Sequence, residues 1–149
     1  MTGEHSKFAH NQPQSDIQNK ADQVPNDKSS DNSAPSAKSL ASERTKRIRE
    51  LNDRLRIEGM GGMVCMTNGV ASLGLSTVNV IFACIADFTG FTPDNDPWGE
   101  HDCAAMTVLD HKIIWKIDYY DRTRSYHSPD PADPKVTVRV MTVMLADEY

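Results

Sequence analysis

Residues 101–120 read HDCAAMTVLDHKIIWKIDYY. In the second half, Ile113, Trp115, Ile117 and Tyr119 fall on one side of an extended chain. Lys112, Lys116, Asp118 and Tyr120 fall on the other, together with Ile114. Side chains of a strand alternate between faces, so this pattern predicts a strand over 112–120 with Trp115 in the core. A first run, roughly 101–109, precedes it across Asp110-His111. A two-residue separation implies an antiparallel hairpin. Asp110 tolerates positive φ better than most residues, though Gly would suit a tight turn more.

The rest of the domain follows outward from this hairpin. Downstream, DRTRSYHSPDPADPK at 121–135 holds three Pro and reads as a long loop. Residues 136–145 are β-branched and strand-like, with Val136, Val138 and Val140 alternating with Thr137 and Arg139. Residues 144–149 can turn helical. Upstream, FTPDNDPWGE at 91–100 is a loop. Val78, Ile81, Phe82, Ile85 and Phe88 keep helical spacing, so 75–88 is expected to be a helix ended near Thr89-Gly90. Residues 63–67 form a short strand candidate followed by an Asn68-Gly69 turn. In SERTKRIRELNDRLRIE at 42–58, Ile48, Leu51 and Leu55 recur at spacings of three and four. Ser42 is the expected N-cap, and Gly59, Gly61 and Gly62 the stop. The order α-β-α-β-β-β predicts an α+β fold: a small antiparallel sheet with two helices on one face.

Residues 1–41 differ in kind. Over 1–40, after Met1, only Phe8, Ile17, Val24 and Leu40 are sizeable apolar side chains. Such a segment buries too little surface to offset the entropy of ordering it, so 1–41 is expected to be a disordered polar tail. The single α+β domain is expected to span 42–149. The tail shows neither a secretory h-region nor an Arg-rich transit pattern. The longest apolar run, Val80–Ala86, has seven residues, far short of the roughly 20 that span a bilayer. Cys65, Cys84 and Cys103 are odd in number and lack CxxC spacing, which argues against a disulfide framework and for buried thiols in a reducing compartment. A cytoplasmic location follows as an expectation. Charge is uneven. Residues 41–58 carry six Lys/Arg against four acidic groups, whereas 59–149 carry six against twelve. Nucleic acid is therefore expected to bind only through the basic helix at 44–56, if anywhere.

Five strings occur in order: GVASLG at 69–74, FTPDNDPWGEHD at 91–102, WKIDYYD at 115–121, SPDPADP at 128–134 and VMTVMLADEY at 140–149. Together they resemble an uncharacterised bacterial family, the domain of unknown function 3768. The likeness covers about 45–149. It departs where an aromatic is expected near Cys103, and where an Asp-Gly turn is expected at Leu109-Asp110. The resemblance implies a plasmid or mobile-element setting and implies no established activity.

The richest polar cluster brackets the hairpin. Asp94, Asp96, Trp98, Glu100, His101 and Asp102 precede it; Asp118, Tyr119, Tyr120, Asp121 and Arg122 end it. Antiparallel pairing brings these ends together, and the next loop adds His127, Asp130 and Asp133. Three uses compete. The residues can cap turns and pair charges. Trp98, Tyr119, Tyr120 and Tyr126 can form a recognition surface. The carboxylates with His101 or His127 can perform acid–base chemistry or bind a divalent metal. The chain contains no HExxH, CxxC or P-loop pattern and no GxSxG elbow, and His101-x-Cys103 falls short of a zinc set. No cofactor or metal is therefore expected. The sequence favours a non-catalytic, protein-binding accessory module of a mobile element, an acidic inhibitor being one form. The alternative is a small enzyme using the acidic/His end of the hairpin.

Overall fold

The structure, a computed structural model, describes residues 34–149. The polar segment 1–33, and with it most of the expected tail, lies outside the described residues. The elements are α1 (Ala37–Glu58), β1 (Gly62–Met66), α2 (Asn68–Ala71), α3 (Leu75–Ala86), β2 (Cys103–Val108), β3 (His111–Tyr120) and β4 (Val138–Leu145), then a 3-10 turn at Ala146–Glu148.

α1 starts earlier than the Ser42 cap would have it. Ser36 is the N-cap, its hydroxyl accepting from Ser39 N–H at 3.2 Å. Ala37, Lys38, Leu40 and Ala41 are good helix formers, so a cap at Ser36 carries the helix through them. Gly59 ends α1 in the left-handed conformation, φ 68°, its N–H returning to Leu55 O. Asn68-Gly69 opens α2 rather than a bare turn, because Thr67 caps it and Glu148 accepts from Thr67 Oγ1 and Gly69 N–H.

The sheet runs β1-β4-β3-β2. β2–β3 and β3–β4 are antiparallel, as expected, but β1 joins β4 in parallel, so the sheet is mixed. β1 is flanked by two helical connections and has no hairpin neighbour. It therefore takes the open side of a distant strand. Gly62 permits this approach: a Cβ there would lie 2.6 Å from Arg139 O. The hairpin turn is Leu109-Asp110, one residue before Asp110-His111. Both have positive φ, 47° and 68°, and His111 pairs with Val108. That is the conformation of a two-residue primed turn.

The sheet's inner face is Ile113, Trp115 and Ile117 of β3 with Met141 and Val143 of β4. Leu55 of α1 and Val78, Ile81 and Ile85 of α3 pack on it. Trp115 is fully buried, and Phe88 and Phe91 meet its ring edge-on. The register pairs Tyr119 with Arg139, Ile117 with Met141 and Trp115 with Val143. Arg139 therefore points inward, and the alternating Val138 and Val140 take the opposite face. The cysteines are not buried as expected. Cys65 is exposed on edge strand β1, and Cys84 and Cys103 are partly buried.

Candidate functional site

Arg49, Asn52, Asp53 and Arg56 recur on α1 at spacings of three and four, so they share one side of the helix. That side does not face water. Asn52 and Arg56 are buried, and all four grip residues 85–101. Arg49 Nε donates to Gly99 O at 2.6 Å. Asn52 Nδ2 donates to Glu100 O at 2.9 Å and to Tyr119 Oη at 2.7 Å. The Tyr119 hydroxyl donates to Glu100 Oε2 at 3.1 Å. Arg139 Nε donates to Asn52 Oδ1 at 3.0 Å, and its Nη2 donates to the Pro131 carbonyl. Arg56 donates to Ala86 O and to Asp53, both at 2.9 Å.

The 91–102 loop is pinned from its own side as well. The buried Asp96 carboxylate accepts from Glu100 N–H at 2.9 Å and His101 N–H at 3.2 Å. Asn95 Oδ1 accepts from Thr92 N–H at 2.8 Å. His101 adopts φ 53°, a left-handed conformation that a non-glycine residue holds only when its surroundings fix it. Its Nδ1 lies 2.9 Å from Asp53, and its ring stacks on Phe91 with centroids 3.7 Å apart. The Arg56 guanidinium lies 5.5 Å from the centroid of the same Phe91 ring. Above this layer, Trp98 is 77 % exposed. It borders a cavity of about 380 Å³ whose wall includes Arg49, Phe91, Asp96 and His101.

Burial sets the electrostatics of this layer. It raises the pKa of Glu100, with Asp102 adding to the effect and the Tyr119 hydrogen bond opposing it. Burial likewise raises the carboxyl of Asp102 and the phenol of Tyr119, and lowers the guanidinium of Arg139.

The two polar groups do meet at one end of the sheet. Ile117 N–H donates to Asp102 O at 2.6 Å, and Tyr119 reaches Glu100. They do not form one surface. Glu100, His101 and Tyr119 stand on the helix side, whereas Asp118 and Tyr120 alternate onto the other face. Asp118 pairs with Lys116 at 3.0 Å. Tyr120 forms an isolated bridge with His127. Asp121 caps its own turn, accepting from Thr123 Oγ1 and Ser125 N–H, and Arg122 and Asp94 are exposed. Asp130 pairs with Arg44 at 3.1 Å.

The basic face of α1 is largely engaged. Arg47 pairs with Glu50, Arg54 with Glu58 and Arg56 with Asp53. Among the described residues, no group of three His, Cys, Asp or Glu side chains is placed to hold a metal ion. Asn52, Asp53, Arg56 and Arg139 escape the sequence reading. The signal available for the first three was polar residues at helical spacing beside the apolar stripe.

The chain belongs to the family described as protein of unknown function (DUF3768), whose family model matches residues 66–148. No curated protein matches the chain, and no solved structure does. The match contains the 91–102 loop, Tyr119 and Arg139 but not α1, which supplies the other half of the buried polar layer.

Proposed function

We propose that this domain is a non-catalytic protein-recognition module whose contact surface is the 91–102 loop, with Trp98 as its anchor. The observation that carries this reading is the contrast within that loop. Trp98 is 77 % exposed, while the backbone that follows it at Gly99 and Glu100 is tied to Arg49, Asn52 and Asp96. Tryptophan is the side chain most concentrated at binding hot spots, and a loop ordered in advance avoids the entropy cost of folding onto a partner. Exposed Asp94 in this loop, and twelve acidic groups against six basic ones over 59–149, suit a partner with a basic face. In the plasmid or mobile-element setting implied by the family resemblance, such a module acts as an accessory or an inhibitor.

The test uses the full chain as bait in cells carrying its native neighbours. Trp98→Ala should weaken capture of the specific partner by roughly 30-fold or more, as loss of a hot-spot residue does, with the melting temperature unchanged. Undiminished capture by Trp98→Ala overturns the reading.

One observation favours a second reading, a small enzyme. His101 Nδ1 faces Asp53 at 2.9 Å and its Nε2 lies beside the cavity, 3.9 Å from Asp96, surroundings that suit an acid–base group. However, Asp53 also holds Arg56, and Phe91 covers the ring, so each contact has a structural use. Among the described residues, no hydroxyl or thiol is hydrogen-bonded to the imidazole. A turnover abolished by both His101→Gln and Asp53→Asn, in a protein that melts normally, would favour the enzyme.

A further inference from the structure

We propose that the outer edge of β1 is the seam of a homodimer, with β1 of a second copy laid antiparallel against it across a two-fold axis. β1 reads GMVCM, and every residue of it is exposed. It pairs with β4 on one side and with nothing in the described chain on the other. An open edge is normally protected by Lys, Pro or a bulge, and β1 has none of these. Its rim is apolar as well: Ile57, Met60, Met63, Val64 and Met66 are between 40 % and 53 % exposed. β2, the other edge, exposes no large apolar side chain.

The backbone fixes the register. Thr67 N–H donates to Val143 O of β4. Backbone groups along a strand point alternately to its two sides, so Met63 and Cys65 face β4, while Gly62, Val64 and Met66 face outward. A two-fold axis through Val64 pairs Val64 with its own copy and Gly62 with Met66 of the second copy. All three outward residues are then hydrogen-bonded. The side chains agree with this register. Gly62 has no side chain and lies beside Leu55. Next to it is a cleft of about 450 Å³, lined by Leu55, Val64, Phe82 and Met141 together with Arg56 and Glu58. The second copy's Met66 stands opposite Gly62 and enters that cleft, and methionine adapts well to an irregular gap.

Charge selects a second copy as the occupant. The chain carries a net charge of −5, so two copies repel over most approaches. From Gly59 to Ala86, which covers β1, α2 and α3, there is no Asp, Glu, Lys or Arg. The charges that border it from other elements are mixed in sign, Arg56 and Glu58 in the cleft, Arg124 at Met63 and Glu148 at Thr67, so two acidic molecules repel least across this face. An isologous seam needs only one self-complementary strand, which β1 supplies.

Sedimentation equilibrium of the full chain under reducing conditions tests the proposal. The wild type should have twice the 16.6 kDa chain mass, and Val64→Lys should have the single-chain mass. A second variant keeps the test decisive if Val64→Lys fails to fold. In this register residue 63 stands opposite Cys65 of the second copy, so Met63→Cys should give a disulfide-linked dimer on mild oxidation. A monomeric wild type overturns the proposal. So does a dimer that Val64→Lys leaves intact, and so does a Met63→Cys protein that forms no intermolecular crosslink.

Discussion

A single buried amide, Asn52, joins three parts of the molecule. It holds the 91–102 loop through Glu100 O, the end of β3 through Tyr119 and the inward Arg139 of β4 through its own oxygen. Removing it leaves buried donors and acceptors without partners, and the cost of such orphans exceeds the net value of the bonds. Asn52→Ala should therefore cost about 3 kcal/mol in urea denaturation; a loss below about 1 kcal/mol would show that water replaces the amide. Glu100 supplies a test with the opposite sign. Burial raises its carboxyl above the ordinary 4.5, so the native chain holds that proton more tightly than the unfolded chain. Its contribution is full below 4.5 and is lost as pH rises through the higher native value. Glu100→Gln cannot ionise and still offers an oxygen to Tyr119. Its melting temperature relative to wild type should rise between about pH 4 and about pH 7. A pH-independent difference would mean that the carboxylate is solvated in the native protein.

Among the elements, β3 was the most legible in sequence, because Ile113, Trp115 and Ile117 alternate without interruption and local pattern decides a half-buried strand. β4 was harder to read. Its valines alternate too, but cross-strand register turns Arg139, Met141 and Val143 inward. The buried polar residues of α1 are not legible in sequence, because helical spacing does not show which flank a distant loop will cover. The parallel pairing of β1 with β4 joins residues more than seventy positions apart, and no local signal records it. The hairpin turn was displaced by one residue, since neither Leu109 nor Asp110 carries the glycine that marks a primed turn. That absence makes a prediction. Replacing Leu109-Asp110 by Asn-Gly relieves two non-glycine residues at positive φ and should stabilise the domain by about 1 kcal/mol in thermal unfolding. A decrease would mean that the Leu109 side chain contributes more than its conformation costs.

At the scale of the whole molecule, the inner face of the sheet is divided. One end is an apolar core around Trp115; the other is a polar layer of Asn52, Arg139, Tyr119 and Glu100 beneath the 91–102 loop. The location of the candidate site was legible, because hairpin pairing had to bring Glu100 and Tyr119 together. Its division between two faces followed only from the packing of α1. The recognition reading requires the loop to be rigid before any partner arrives, since exposure of Trp98 on a floppy loop would carry no advantage. Amide hydrogen exchange of the full chain measures this residue by residue. The N–H groups of Glu100 and His101, both bonded to Asp96, should exchange about 100-fold or more slowly than unstructured peptide. Exchange within about tenfold of the unstructured rate at these two positions would contradict a preformed recognition loop.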